Sequence, residues 1–479
     1  MSAPKKPSKK GKKPAPEPTE REAPKRRHSR ALPADAVRGP RPIVAIVGRP
    51  NIGKSTLFNR LVGERIAIVE DVPGVTRDRH YADATIGGRD VVLVDTGGFD
   101  PESDDPMREG IARHVKMALG EADLVVCVLD ATAPLTSADR AAAELLRRGK
   151  LPVVWAANKA DDKKRAIEGL EHYELGMDEL IAVSALHGRG MTDLEDAIEA
   201  KLPKEREAAG AVFDESVPRI AIIGRPNAGK SSLTNKLLGE ERQLVDARPG
   251  TTVDPIDTLL ERDGKRYVLI DTAGIRRKRG IEETVESIAV MKAIRSIERA
   301  DVVVLMIDAA GGAAEQDARL AGLIVERGRG LVIGLNKMDL LDERGRKEAM
   351  TTAREVFAFA PWARIVGISA KTGRSLGELF EHVEIARASR AKRVPTSEMN
   401  RFFEEVLGHH PPPTQGGRPV RLYYVTQAET HPPRFVVVTN EPQAVHFSYQ
   451  RYVVNAIRER FGFEGTPVRV TYKQKQRRE

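Results

Sequence analysis

Gly48-Arg49-Pro50-Asn51-Ile52-Gly53-Lys54-Ser55 is a run of residues suited to holding phosphate, and it stands twice: Gly224-Arg225-Pro226-Asn227-Ala228-Gly229-Lys230-Ser231 repeats it 176 positions later. Two glycines let such a loop turn tightly enough for its amide hydrogens to converge on phosphate oxygens at a helix N-terminus. Lys54 and Lys230 would neutralise the β and γ phosphates, and the hydroxyls of Ser55 and Ser231 would ligate Mg2+. Asp95-Thr96-Gly97-Gly98 follows and recurs as Asp271-Thr272-Ala273-Gly274, again 176 positions on. Its aspartate belongs near the metal, through water, and Gly98 or Gly274 leaves a backbone amide free for the γ phosphate.

Base choice falls to Asn158-Lys159-Ala160-Asp161 and its repeat Asn336-Lys337-Met338-Asp339. A carboxylate only accepts, so it matches the two donor hydrogens on the guanine edge, where adenine presents a lone pair. Ser184-Ala185 and Ser369-Ala370 complete each set and are expected to offer a backbone amide to the base oxygen. Two full sets in the same order exclude a glycine-rich turn that binds nothing. Both halves are expected to bind GTP and GDP with Mg2+.

Thr76 and Thr252, each in a loop before the next strand, are expected to complete the magnesium sphere, and those loops should order with GTP and relax with GDP. Lys54, Thr76, Lys230 and Thr252 are the catalytic candidates. Phe99 and Ile275 stand where many small GTPases carry a glutamine that orients the attacking water. Neither side chain can hydrogen-bond a water, so hydrolysis by the isolated chain is expected to be slow. Asn51 and Asn227 have side-chain oxygens placed to help hold a monovalent cation against the phosphates; a role in stiffening the loop stays open beside that one. The loops after the two D-T-x-G motifs carry opposite charge, Asp100, Glu102, Asp104 and Asp105 against Arg276, Arg277, Lys278 and Arg279. They are either two solvated loops, or the basic one changes its contact with RNA or the C-terminal region when the γ phosphate is lost.

Each motif needs an element to aim it. Ile43 to Val47, Val91 to Val94, Leu124 to Leu129, Val153 to Ala156 and Ile181 to Val183 are apolar runs without alternation, which suits strands of a parallel sheet covered on both faces. Helical stretches lie between them, so the expected fold class is α/β, with two tandem doubly wound P-loop domains. Ligands bind such sheets at the carboxyl ends of strands, where each motif here falls. The second copy repeats the plan with Ile220 to Ile223, Tyr267 to Ile270, Val302 to Ile307, Leu331 to Leu335 and Ile365 to Ile368. Expected boundaries are a disordered basic arm at 1–40, a first GTPase domain at 41–203, a linker at 204–217, a second GTPase domain at 218–392 and a C-terminal domain at 393–479. Eleven of the 22 aromatic residues fall in the last ninety positions, so that domain must have its own core. Helix, strand, strand, helix, strand is its expected order, an α+β KH-like fold. Gly462-Phe463-Glu464-Gly465 spells the G-x-x-G of nucleic-acid-binding KH domains but follows the last helix, and Glu464 would repel a phosphate; the match is read as accidental. Tyr423, Tyr424 and Tyr452 are expected in the core, and the chain is expected to fray from Lys473.

The net charge of +9 is unevenly spread: residues 1–40 carry +8 and 390–479 carry +7, which leaves a mildly acidic body. A polyanionic partner, nucleic acid above all, is the first expectation for the ends, with solvated tails as the bland reading. The single cysteine, Cys127, sits in an apolar strand and offers no disulfide framework, so a reducing compartment is expected; no run approaches eighteen consecutive apolar residues, so a soluble cytoplasmic protein without a membrane anchor is expected.

Two G-R-P-N-x-G-K-S domains followed by a KH-like domain resemble the bacterial double-Era-like (Der, EngA) GTPases over about residues 42–473. The resemblance implies a GTPase that associates with the large (50S) ribosomal subunit and its rRNA and is required for its assembly; the chain is expected to be a monomer. It also implies K+ as the cation at Asn51 and Asn227, and it includes apolar residues at Phe99 and Ile275. A related tRNA-modifying GTPase shares the loop but has one G domain and a C-terminal reactive cysteine, for which Cys127 is misplaced.

Overall fold

Ile43–Val47, five residues without a polar side chain, form β1, and all five are buried. The computed structural model describes residues 40–63, 80–98, 107–161, 177, 179–203, 217–240, 257–272, 286–414 and 419–475. The basic arm and the linker, apart from their last residues Pro40 and Val217, lie outside the described residues. So do Thr76, Phe99, Thr252, Ala273, Gly274, Ile275 and both charged loops that follow the D-T-x-G motifs.

The first repeat runs β1, α1 (Lys54–Val62), β2 (Tyr81–Ile86), β3 (Arg89–Asp95), α2 (Met107–Glu121), β4 (Leu124–Asp130), α3 (Ser137–Arg148), β5 (Val153–Asn158), β6 (Leu180–Ala182) and α4 (Met191–Lys201). Its sheet has the order β2-β3-β1-β4-β5-β6. The apolar runs pair in parallel, Ala45 lying between Val94 and Val125. One face is closed by α1 and α4 through Leu57, Leu61, Leu194 and Ile198. Met117, Ala142 and Leu146 of α2 and α3 cover the other.

The second repeat follows the same course: β7 (Arg219–Ile223), α5 (Lys230–Glu240), β8 (Thr258–Arg262), β9 (Lys265–Ile270), α6 (Glu286–Arg299), β10 (Val302–Asp308), α7 (Glu315–Glu326), β11 (Gly330–Asn336), α8 (Glu343–Val356), β12 (Arg364–Gly367) and α9 (Leu376–Ala391). Its strand order, β12-β11-β10-β7-β9-β8, mirrors the first. β2 and β8 correct the sequence reading. They are antiparallel edge strands, which the search for apolar runs passed over because their residues are only partly buried and mix charge with apolar side chains.

The C-terminal domain comprises α10 (Thr396–His409), β13 (Leu422–Thr430), β14 (Pro433–Thr439), α11 (Phe447–Phe461) and β15 (Arg469–Gln474), in the expected order. Phe402, Phe403, Phe435, Phe461 and Phe463 fill its core. Two expectations fail here. The last strand continues through Lys473 to Gln474, paired with β14. Tyr423 and Tyr424 are 41% and 45% exposed, because a register shift in β13 between Leu422 and Tyr424 puts two consecutive rings in solvent. Tyr452 is half-buried against the core as expected.

The repeats meet through α2 and α6, whose Met117, Ala118, Met291 and Ile294 belong to one continuous apolar cluster. Arg295 extends from α6 to the Glu121 carbonyl (2.9 Å) and to Asp123 (3.1 Å). Arg41, just before β1, donates to Glu298 of α6 and to Asp83 of β2. Arg327, buried at the end of α7, also pairs with Asp83. The C-terminal domain joins this seam, with Arg469 donating to the Glu326 carbonyl and Arg390 of α9 to that of Gly328. Arg469 so placed satisfies the last carbonyl of α7, and Arg390 one in the turn that follows it. Among the described residues no helix is long and apolar enough to cross a membrane.

Candidate functional sites: two phosphate-binding pockets

Gly48 and Gly53 have φ of 147° and 87°, values that L side chains rarely adopt. A Cβ on Gly53 would run into the side-chain amide of Asn158, and one on Gly229 into that of Asn336. These asparagines explain how motifs more than a hundred residues apart are assembled. Asn158 Nδ2 donates to the Ile52 carbonyl at 2.8 Å while its Oδ1 accepts from the Ala185 amide at 3.0 Å. Asn336 makes the same pair of bonds, to the Ala228 carbonyl (2.9 Å) and from the Ala370 amide (2.8 Å). One buried side chain thus ties the phosphate loop, the base-selecting loop and the Ser-Ala loop together. The Ala185 and Ala370 amides supply the donor that these buried asparagine oxygens need.

The loop lysines lie over their own loops. Lys54 Nζ donates to the Arg49 carbonyl (2.8 Å), and Lys230 Nζ to those of Gly224 and Arg225 (both 2.7 Å). Burial lowers the pKa of both ammonium groups, and Asp95 partly offsets this for Lys54. Asn51 and Asn227 are exposed and left-handed, with φ of 63° and 62°. Pro50 and Pro226 are exposed beside them, and Ile52 and Ala228 are buried beneath.

In the first repeat Ser55 Oγ donates to Asp95 Oδ2 at 2.6 Å, and the Gly97 amide to Asp95 Oδ1 at 3.0 Å. A hydroxyl and a carboxylate facing each other at the foot of the phosphate loop are hard oxygen donors that fit Mg2+. Gly97 has no Cβ because Lys54 Cε occupies that space. Thr96 is tied to the Ile46 carbonyl of β1 (2.9 Å). The second copy differs. Asp271 is left-handed (φ 57°), its amide donates to Asp257 (3.1 Å), and the Thr272 hydroxyl meets that of Thr258 on β8 at 2.6 Å.

On the base side, Ser184 Oγ donates to Asp161 at 2.6 Å. The Ser369 hydroxyl does the same for Asp339 and holds its carboxyl below the usual range. Ala160 and Met338 are buried, their amides bonded to the Val183 and Ile368 carbonyls. Lys159 and Lys337, left-handed at 69° and 64°, reach Asp130 (2.7 Å) and Asp308 (2.5 Å) at the ends of β4 and β10. Burial pushes these two aspartates up, but the lysine hydrogen bonds and neighbouring donors outweigh it, so both pKa values are lowered.

Sequence reasoning missed Asp130 and Asp308, although Asp130-Ala131 recurs as Asp308-Ala309 at the 178-residue spacing of the N-K-x-D motif. It also missed Asp139 and Asp317, at the first turns of α3 and α7. The Arg225 guanidinium bonds to Asp317 (2.9 Å) and to the Gly312 carbonyl (3.0 Å), and Arg49 lies 3.8 Å from Asp139. These loop arginines therefore brace the phosphate loop against the neighbouring helix.

A doubly repeated α/β sheet with a phosphate loop, a base-selecting loop and a carboxylate beside the loop serine defines a P-loop GTPase. The family model described as "50S ribosome-binding GTPase" matches residues 43–159 and again 219–337, and "KH-domain-like of EngA bacterial GTPase enzymes, C-terminal" matches 393–473. GTPase Der of Thermomicrobium roseum is 46% identical over 448 residues, 91% of this chain and 97% of that protein. GTPase Der of Geotalea daltonii is 46% identical over 435 residues, covering 90% and 98%. The chain belongs to the Der (EngA) family of two-domain GTPases: it binds and hydrolyses GTP. Among solved structures, Era of Aquifex aeolicus bound to GDP and tetrafluoroaluminate aligns with a TM-score of 0.27 and 19% identity, covering 54% of this chain and 93% of that one.

Proposed function

We propose that this GTPase acts in the cytoplasm, as a monomer, in assembly of the large ribosomal subunit, associating with the subunit and its rRNA according to the nucleotides held at its two sites. The observation that carries this reading is the match of both repeats to a family described as ribosome-binding, together with a C-terminal domain of net positive charge. The domain limits 41–203, 218–392 and 393–479 go with it.

At each site the glycine-loop amides and Lys54 or Lys230 hold the β and γ phosphates, which spreads the charge that develops as the terminal phosphoryl group leaves. Asp161 and Asp339, each held by a serine hydroxyl, accept from the guanine edge. Ser55, Asp95 and Thr76, and Ser231, Asp271 and Thr252, are the residues that would hold Mg2+. When bound, that ion supplies charge neutralisation across the phosphates. Asn51 and Asn227, exposed on the rim of the loop, would take K+. The attacking water is left to backbone groups or to a group supplied from outside, since Phe99 and Ile275 offer no hydrogen bond.

Co-sedimentation of the full chain with purified large subunits, in a non-hydrolysable GTP analogue, in GDP and without nucleotide, tests the proposal. Pelleting should depend on nucleotide. Equal pelleting in all three states, or none in any, would overturn it.

A further inference from the structure

The three-stranded sheet of the C-terminal domain has two ends with different surroundings. At the start of β14 and β15 the domain is fastened to the second repeat. Pro432 packs on Gly328, the Leu331 amide donates to the Gly465 carbonyl (2.8 Å), and the Gly465 amide to that of Trp362 (2.9 Å). Phe463 is buried, and Glu464 pairs with Arg364 of β12. The Gly462–Gly465 turn is therefore consumed in docking and clamps no phosphate backbone.

The opposite end, where β13 begins and β14 and β15 finish, is turned away from that contact and carries aromatic rings that folding does not explain. Tyr423 and Tyr424 are exposed, and Phe447, at the start of α11, is 60% exposed. Strand polarity places all three at one end. Leu422 pairs with Thr439, Thr439 pairs with Gln474, and α11 starts eight residues after β14 stops. Cations stand over two of the rings: Lys475 Nζ is 4.5 Å from the Tyr423 centroid, and the Arg451 guanidinium 5.5 Å from that of Phe447. Arg421 and Lys473 are exposed at the same end, against the one carboxylate of Glu441 among the described residues there.

We infer that this end of the C-terminal domain is a stacking surface for single-stranded RNA, with Tyr423, Tyr424 and Phe447 taking unpaired bases and Lys475, Arg451 and Arg421 taking the phosphates. The chemistry fits one occupant. Bases stack on exposed aromatic faces whatever their sequence, and flanking cations neutralise the backbone; a duplex, with its bases already stacked, has no use for the rings. The inference rests on the ribosome reading above and supplies the element that would touch rRNA.

Fluorescence anisotropy of the full chain with a labelled single-stranded ten-nucleotide RNA, and with its duplex, tests it. The wild type should prefer the single strand. Replacing Tyr423, Tyr424 and Phe447 with Ala should weaken binding about tenfold per ring, whereas Y423F/Y424F should stay within about twofold. Lys475→Glu should flatten the salt dependence, which the ring substitutions leave alone. Preference for the duplex, or unchanged affinity of the triple-alanine chain, overturns the inference. Pelleting with large subunits separates the two readings. If the wild type fails to pellet yet binds RNA through the rings, the ribosome reading falls and the stacking surface stands. If the triple-alanine chain loses pelleting but keeps its RNA affinity, the surface serves a protein and the inference is wrong.

Discussion

Replacing Gly229 with Ala isolates the asparagine tie that assembles the second pocket. Gly229 has φ 95°, so any side chain there is strained by roughly 1–2 kcal/mol. The new methyl group would also occupy the position of Asn336 Nδ2, pushing that amide out of its bonds to Ala228 (2.9 Å) and Ala370 (2.8 Å). Each bond contributes about 1 kcal/mol net. The sum, about 3–4 kcal/mol, falls on the geometry that binds nucleotide, so affinity at the second site should drop roughly 150- to 700-fold. Calorimetric titration of the nucleotide-free chain with GDP should then show one site in the range where the wild type shows two. Gly239 in α5 is the control, since nothing lies within 4 Å of its added Cβ. Gly239→Ala should keep both sites and gain about 0.5–1 kcal/mol of stability from lost helix-glycine entropy. Second-site affinity within threefold of wild type in Gly229→Ala would refute the role given to Asn336.

Other expectations follow from the same geometry. Asp339→Asn replaces an acceptor with an amide, so the second site should lose roughly a hundredfold in GTP affinity and gain for xanthosine triphosphate; competition binding reads both, and an unchanged preference would remove Asp339 from base selection. Glu121, at the seam between repeats, has its carboxyl pushed up to about 7, first by burial and then by Asp271, against the opposing pull of Lys292 and Arg295. Its contribution is therefore complete below its ordinary value near 4.5 and is lost as pH rises through 7. Glu121→Gln should melt higher than the parent at pH 8 and alongside it at pH 4.5, and an equal offset at both would contradict this. Glu298 is buried and pairs with Arg41, Arg327 and Arg329, so Glu298→Ala strands buried cations and should cost about 3–5 kcal/mol in denaturant unfolding; a loss under 1 kcal/mol would show the seam to be hydrated.

What could be read from the sequence was whatever is local. Ile43–Val47 announces a doubly covered strand because all five side chains are apolar, and each motif follows such a run because parallel sheets present their carboxyl ends to ligands. β2 and β8 were lost because an edge strand with one wet face has no apolar run to display. The asparagine tie was illegible for a different reason: Asn158 and Ile52 are 106 residues apart, and their bond exists only once two loops share a sheet edge. Asp130 and Asp308 were findable, since they repeat with the motif they serve. Tyr423 and Tyr424 were placed in the core because aromatic rings usually lie there, and the register shift in β13 that turns both outward leaves no local mark in the residues.

The fastening of Gly465 between Leu331 and Trp362 has a mechanical consequence. The outward end of the C-terminal sheet and the second nucleotide pocket are carried on one stiff frame, so an event in the second pocket is transmitted to that end directly. The first repeat does not share that frame: it meets the second through the α2–α6 cluster and the Asp83–Arg327 pair. The second repeat is thus the mount of the outward tip, and the first repeat reaches it only across the seam.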